Sequence, residues 1–184
     1  MASVLLHVCC AHCAAYCVSY WRDQGYSVTA FWYNPNIHPR QEYLRRLEAM
    51  QAVAWAMDVC LIVPSEYDAV RYFRDVTGDE VDRCRHCFRL RLSRTALEAE
   101  VGGFDAFTST LLISPQQKHE LIREIGQGLI ESCGVTFLYA DLRKRYSDSR
   151  RITKPMDIYR QQYCGCMYSE WERYVGNDGD VFSP

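Results

Sequence analysis

The 184-residue sequence has no apolar run of the roughly 18 residues that a membrane-spanning helix requires. The apolar stretch Val4 to Val8 is too short for a signal peptide, and no basic segment precedes it. We therefore expect a cytoplasmic protein with no membrane partner. Internal repeats, linkers and low-complexity tracts are lacking as well. We expect one α/β domain over residues 1–175, followed by a flexible C-terminal tail over 176–184.

An excess of positive charge is also lacking, since 21 basic and 23 acidic residues give a net charge of −2. This balance argues against a nucleic-acid-binding protein of the generic basic kind. The basic residues are nevertheless concentrated in two segments, 83–94 and 143–154. These segments form either a basic face for an anionic partner or two ordinary solvated faces, and the pattern leaves both readings open.

Cysteine, by contrast, is abundant, with ten residues. In a cytoplasmic chain, cysteines are more often metal ligands or redox groups than parts of a disulfide framework. Seven of them form three groups that lie far apart in the sequence: Cys9, Cys10 and Cys13; Cys84 and Cys87; Cys164 and Cys166. Three others fall within regular helical or strand patterns and are predicted to be core residues: Cys17, Cys60 and Cys133. We expect the three groups to meet at one metal site, which makes the domain a metal-cluster domain.

The hydrophobic pattern alternates between short β-branched runs and helical periods. It predicts strands over Val4–Val8, Ser27–Tyr33, Val59–Val63, part of Phe104–Ile113, and Val135–Tyr139. It predicts helices over Ala11–Trp21, Arg40–Met57, Tyr67–Arg74, Arg83–Val101 and Lys118–Ser132, and weaker ones over Met156–Tyr163 and Tyr168–Tyr174. Asp141–Pro155 is predicted to be irregular. This alternation predicts an α/β fold: a parallel sheet flanked by helices on both faces, with a small C-terminal helical segment.

The spacing of the cysteines limits what each group can bind. Cys84 and Cys87 are three residues apart at a helix start, so both can grip one metal or cluster, or act as a dithiol. The adjacent side chains of Cys9 and Cys10 diverge, which suits two neighbouring centres better than one small metal. Four thiolates suit a [4Fe-4S] cluster, and the remaining thiols would hold a single metal with an open position. A closed zinc site in a binding module without turnover is the alternative.

Several further motifs occur in the order and spacing of a known family. They are Leu6–Ala11, Tyr33–Pro39, Arg83–Cys87 with Arg89-Leu90, Thr108–Leu111, Asp141–Lys144, and Tyr159–Cys166 with Ser169. Over about residues 3–169 the sequence resembles the epoxyqueuosine reductase QueH family. The resemblance implies a cytoplasmic enzyme that reduces epoxyqueuosine to queuosine at the wobble position of transfer RNA, without cobalamin. It also implies a fold like that of the PP-loop enzymes. The Ser-Gly-Gly-x-Asp-Ser phosphate loop is absent, so we expect no use of ATP.

Two assignments of the cysteines are considered, the first implied by the resemblance and the second because it fits the geometry of the thiols better. In one, the cluster ligands are Cys9, Cys10, Cys84 and Cys87, and a redox-active pair is formed by Cys164 and Cys166. In the other, the cluster is held by Cys10, Cys84, Cys87 and Cys166, and a mononuclear metal, iron or zinc, is held by Cys9, Cys13 and Cys164. The sequence departs from the frequent Cys-Cys-Ala-Pro-Cys pattern at His12, and Cys13 stands where relatives can have aspartate. The extra thiolate leaves the identity of the second metal open.

The same resemblance suggests residues for the substrate, the anticodon arm of transfer RNA. Residues predicted to position the epoxide-bearing ring or donate a proton are His12, Tyr163, Tyr33 and Asn34. Residues predicted to bind phosphates are Arg143, Lys144 and Arg145, together with Arg150, Arg151 and Lys154. Tyr159 is predicted to stack on an extruded base. The electron donor remains unknown, and a thiol-based sulfur-transfer enzyme acting on transfer RNA is a further alternative.

Overall fold

Five parallel strands form the sheet at the centre of the protein, whose computed structural model describes residues 1–176. In chain order the strands are β1 (Ser3–His7), β2 (Ser27–Phe31), β3 (Cys60–Ile62), β4 (Ala106–Ser109) and β5 (Thr136–Phe137). Their order across the sheet is β3-β2-β1-β4-β5. His7 lies opposite Phe31 on one side and Ser109 on the other. The carboxyl ends of the three central strands therefore lie level at one edge.

Seven α-helices accompany the sheet in the part of the chain that the structure describes. They are α1 (Ala11–Asp23), α2 (Arg40–Ala56), α3 (Ala69–Val76), α4 (Arg83–Val101), α5 (His119–Cys133), α6 (Tyr146–Thr153) and α7 (Met167–Tyr174). Helices α1 and α2 pack on one face of the sheet and α4 and α5 on the other. Val4, Leu5 and Leu6 of β1 are consequently buried on both sides of the strand. The predicted α/β class is confirmed.

No helix of residues 1–176 is both long and apolar enough to cross a membrane. The tail predicted over residues 176–184 lies outside the described residues, except for Gly176.

The prediction that Asp141–Pro155 is irregular is wrong. A 3₁₀ turn, Arg143–Arg145, leads into helix α6, which packs against α1. Its fully buried positions include Ser149 and Thr153, so its inner face carries no apolar period that the sequence could reveal. The Ser149 hydroxyl donates to the Tyr146 carbonyl (2.7 Å) and the Thr153 hydroxyl to the Ser149 carbonyl (3.1 Å). Small hydroxyl side chains can therefore be buried here with their hydrogen bonds satisfied.

Two more expectations fail near the C-terminal third and the sheet edge. The predicted helix over Met156–Tyr163 does not form, because a 3₁₀ turn (Lys154–Met156) ends at Asp157, whose φ of 47° lies in the left-handed region. Cys60 is exposed rather than part of the core, since β3 is a three-residue edge strand. Cys17 is fully buried as predicted, and Cys133 is half-buried. The C-terminal helical segment is confirmed by α7.

Gly126 of α5 illustrates how closely the second helical layer packs on the sheet. A Cβ atom at this position would lie 2.3 Å from Cε1 of Phe137, a buried residue of β5. Gly126→Ala is therefore expected to lower the free energy of unfolding by about 1–3 kcal/mol through overpacking. At Gly128, on the exposed side of the same helix, an added Cβ meets no described atom within 4 Å. Gly128→Ala is expected to raise the free energy of unfolding by about 0.5–1 kcal/mol. Urea unfolding of both variants is the measurement, and equal effects would contradict this packing.

Candidate active site

The three cysteine groups lie at the N-terminal ends of three helices. Cys10 is the residue that precedes α1, directly after the carboxyl end of β1. Cys84 and Cys87 lie in the first turn of α4, and Cys166 precedes α7. Helix N-termini carry partial positive charge, which favours thiolates over thiols. These partial charges oppose the effect of burial on the thiols, and they lie near the carboxyl edge of the sheet, where open α/β sheets bind their ligands.

The thiols of the three segments lie within electrostatic range of one another. Burial raises the pKa values of Cys9, Cys84 and Cys87, the last to about 12, and the charge of Cys164 raises all three further. Cys166 acts in the same direction on Cys84 and Cys87. The structure thus brings together five of the sequence-predicted cysteines, which we call the thiol cluster. In the metal-free protein, the buried members are protonated at neutral pH.

Cys10 and Cys13 form a separate close pair on the α1 side of this cluster. Hydrogen bonding with Cys13 lowers the pKa of Cys10 to about 6, and the same contact raises the pKa of Cys13. The Cys10 sulfur also lies 3.1 Å from Oε1 of Gln161, in the segment that precedes Cys164. The Cys10–Cys13 pair therefore releases its first proton more readily than an isolated buried thiol does.

Arg91 is the buried cation of the thiol cluster. It follows Cys84 by seven residues and Cys87 by four, so the three side chains share one face of α4. The side chain is 1% exposed, and its Nε donates to the Cys87 carbonyl at 3.3 Å. Burial opposes the charge of Arg91, but Cys87, Cys9 and Cys164 outweigh that effect once they are ionised as thiolates, and they hold the pKa of Arg91 above its ordinary value. The Nη2 atom of the Arg91 guanidinium has no hydrogen-bond partner among residues 1–176.

Arg46 holds the C-terminal cysteine segment in place from helix α2. Its Nε pairs with Glu42 at 2.7 Å, and both side chains are buried. Its other two nitrogens donate to the carbonyls of Cys164 (2.9 Å) and Tyr163 (3.0 Å). We call this arrangement the Arg46 clamp. Gly165, between the two cysteines, has a φ of 142° that L side chains rarely adopt.

The predicted tyrosines of this region contact the protein itself. The Tyr159 hydroxyl donates to Oε2 of Glu42 at 2.6 Å, and the Tyr163 hydroxyl donates to the carbonyl of His38. Burial raises the pKa of both tyrosines. Their substrate roles stay predictions, but each hydroxyl already supports the segment that carries Cys164.

Tyr33 and Asn34 lie beside the end of β1. His7, whose pKa burial lowers to about 3, hydrogen-bonds Ser109 Oγ at 2.9 Å and the Tyr33 carbonyl at 3.1 Å. The Asn34 side chain donates to the Val8 carbonyl at 2.9 Å. The predicted substrate residues are thus fixed to the strand that leads into Cys9.

His12 lines a cavity of about 440 Å³ on the α1 side of the site. Its Nδ1 lies 2.5 Å from the Thr153 hydroxyl, and its buried Nε2 has no partner within the described chain. The basic residues that line this cavity are Arg150, Arg151, Lys154 and Arg160. We call this the His12 cavity. Sequence reasoning identified three of its four basic residues and missed Arg160.

The other predicted phosphate-binding residues are largely engaged or lie apart from this cavity. Arg143 pairs with Asp141 at 2.5 Å, and Arg145 pairs with Asp148 at 2.8 Å. Lys144 is exposed. These residues do not line the His12 cavity.

In residues 1–176, no three His, Cys, Asp or Glu side chains are placed as ligands for a metal ion. The site nevertheless fits a thiolate-bound metal group in its chemistry. Its donors are soft sulfur atoms from three segments, and the guanidinium of Arg91 would offset the negative charge of the thiolates. Which cysteines hold which centre stays a prediction.

The fold and the thiol cluster define an α/β protein with a thiol-lined site at the carboxyl edge of its sheet. Comparison with known proteins makes the class specific. Residues 4–172 match the family model described as epoxyqueuosine reductase QueH, and the chain belongs to that family.

Proteins named epoxyqueuosine reductase QueH align over most of the chain. The protein from Dehalococcoides mccartyi is 53% identical over 171 residues, which cover 93% of this chain and 94% of the relative. The protein from Thermotoga maritima is 38% identical, covering 94% and 93%. A crystal structure of a predicted subunit of tRNA methyltransferase from Methanocaldococcus jannaschii has a TM-score of 0.55 at 11% identity, covering 84% of this chain and 75% of that one. This likeness supports the fold alone.

Proposed function

We propose that this chain reduces epoxyqueuosine to queuosine in the anticodon loop of transfer RNA. In this reaction the epoxide oxygen leaves as water, two electrons and two protons are consumed, and a carbon–carbon double bond forms. An external donor supplies the electrons. The observation that carries the proposal is the meeting of three thiol segments beside Arg91 in a chain of this family.

The proposal includes a [4Fe-4S] cluster on four thiolates that include those of Cys84 and Cys87. When bound, such a cluster would supply electrons one at a time, and a mononuclear metal held by the remaining thiols would supply Lewis acidity toward the epoxide oxygen. The chain's own contribution is positioning and charge. Arg91 offsets the negative charge of the thiolates, and the Arg46 clamp fixes the Cys164 backbone.

The substrate's phosphates would bind along the His12 cavity. Arg150, Lys154 and Arg160 line it, and Gln161, the next residue, contacts Cys10. A phosphate bound there would place the neighbouring nucleotide beside the Cys10–Cys13 pair. Such contacts with phosphates position an RNA without reading its sequence.

Anaerobic turnover tests the proposal directly. The wild-type protein, reconstituted with iron and sulfide, is supplied with epoxyqueuosine-containing transfer RNA and dithionite, and the nucleosides are analysed by mass. We expect loss of one oxygen atom. Cys84→Ser should abolish both iron binding and turnover, whereas Cys60→Ser, at an exposed thiol of the edge strand, should retain both. Gain of sulfur, or a zinc-loaded protein without turnover, would contradict the proposal.

A further inference from the structure

A second cavity, of about 670 Å³, lies on the opposite face of the sheet from the His12 cavity. It is enclosed by α3, by α4 and by Tyr33, which follows β2. We call it the α3–α4 cavity. Its volume falls within the range of roughly 300–1,000 Å³ that is typical of small-ligand sites.

One face of helix α4 forms the long wall of this cavity. The lining positions on α4 are residues 86, 89, 90, 93, 94 and 97. They recur at three and four residues and so form a continuous stripe along the helix. The same helix carries Cys84, Cys87 and Arg91 on its inner side. Whatever binds in the α3–α4 cavity therefore lies against the helix that supplies two thiols of the cluster.

The cavity is basic. Arg71, Arg89 and Arg94 line it against one acidic residue, Asp75, which gives 3 − 1 = +2 charges. Arg71 lies 3.6 Å from Asp75 in an exposed pair, and such pairs stabilise little and exchange partners readily. Arg89 is exposed and has no ion-pair partner in the described part of the chain. Arg94 lies 3.3 Å from Glu98 in another partly exposed pair. Arg89 is therefore directly available to an anionic ligand, and Arg71 and Arg94 become available by exchanging their carboxylate partners.

Tyr33, which is 9% exposed, forms an aromatic part of the cavity wall. The Tyr33 ring stacks on Phe31, with centroids 6.3 Å apart and planes inclined by 13°. The guanidinium carbon of Arg94 lies 5.9 Å from the Tyr33 centroid, and Leu90 and Leu97 add apolar surface. A bare phosphate needs only the arginines. A nucleotide uses both features, because its base stacks on aromatic rings and guanidinium planes while its phosphate binds arginine.

We infer that the α3–α4 cavity binds a nucleotide, with the base against Tyr33 and Arg94 and the phosphate on Arg71 and Arg89. Two sources share this chemistry. One is a nucleotide of the substrate RNA next to the reacting one, and this source rests on the proposed function. The other is a free nucleotide, such as a reduced nicotinamide dinucleotide that brings electrons to the α4 side of the cluster.

The test compares two charge-reversal variants of the full chain. Arg89→Glu/Arg94→Glu changes the cavity, whereas Arg74→Glu changes an exposed arginine of α3 that does not line it. Binding of a fluorescein-labelled anticodon stem–loop RNA is followed by anisotropy, and binding of NADPH and ATP by calorimetry. We expect the double variant to lose about tenfold or more in affinity for one of these ligands, and the control about twofold or less. Unfolding curves of both variants check that the fold is kept.

The RNA measurement and the free-nucleotide measurements distinguish a nucleotide of the substrate RNA from a free nucleotide. Weakened RNA binding with no NADPH or ATP binding to the wild type assigns the cavity to the substrate strand. Cavity-dependent binding of NADPH or ATP assigns it to a free nucleotide, and this result stands even if turnover of epoxyqueuosine fails. The inference is overturned if the double variant binds RNA, NADPH and ATP no more weakly than the control variant does.

Discussion

Arg91→Met is expected to stabilise the metal-free protein and to abolish its ability to hold iron. Without a metal, the neighbouring thiols are protonated, so the buried guanidinium lacks an anion to offset its desolvation. Replacing a buried charge by an apolar side chain of similar length should raise the free energy of unfolding by about 1–4 kcal/mol. Once thiolates form, the same guanidinium becomes the main compensating charge, and methionine cannot replace it.

Two measurements check this prediction. Thermal unfolding of the reduced, metal-free variant should show a melting temperature several degrees above that of the wild type, at about 2–4 °C per kcal/mol. Iron content after anaerobic reconstitution should fall to background. Arg74→Met, the same substitution at an exposed site, should change neither quantity. A destabilised variant that still binds iron normally would show that Arg91 serves the core rather than the cluster.

Arg46→Met is expected to produce the second large effect, in the opposite direction for stability. It leaves the Glu42 carboxylate buried without its cationic partner and releases the carbonyls of Tyr163 and Cys164. Removing one partner of a buried pair costs about 3–5 kcal/mol. We also expect turnover to be lost, because the Cys164 segment is no longer held against α2.

A double variant separates these two consequences. Glu42→Gln/Arg46→Met removes the stranded charge and keeps an amide that can still bond the Tyr159 hydroxyl. Urea unfolding should show that much of the lost stability returns. Turnover should not return, because the hydrogen bonds to the Cys164 and Tyr163 carbonyls are still absent. Recovery of turnover together with stability would mean that the Arg46 clamp has no positioning role.

The fold was predictable from the sequence wherever burial leaves an apolar pattern. β1 reads as a continuous apolar run because helices cover both of its faces, and α2 and α5 show clear helical periods. Helix α6 was not predictable in this way, since Ser149 and Thr153 occupy its buried positions. The segment after it turns at Asp157, whose φ of 47° lies in the left-handed region.

Some residues of the candidate site were likewise predictable from the sequence, and others were not. The spacing of the cysteines was enough to assign the thiols to three groups. The position of Arg91 could also have been predicted, because it lies four residues after Cys87 and seven after Cys84 on one helix. The Arg46 clamp could not have been predicted. Its bond to Cys164 joins residues 118 positions apart, and no local pattern encodes such a partner. The engagement of Arg143 and Arg145 with acidic neighbours likewise depends on side-chain placement rather than on charge count.

The three helix starts that carry the thiols come from the beginning, the middle and the end of the chain. During synthesis on a ribosome, the five strands of the sheet emerge before residues 164–166. The thiol cluster is therefore incomplete until translation is nearly finished. A metal group that needs thiols from all three segments could therefore be loaded only after the last helix has left the ribosome. A chain truncated before Cys164 would keep all five strands of the sheet but would lack the Cys164 and Cys166 thiols of the cluster.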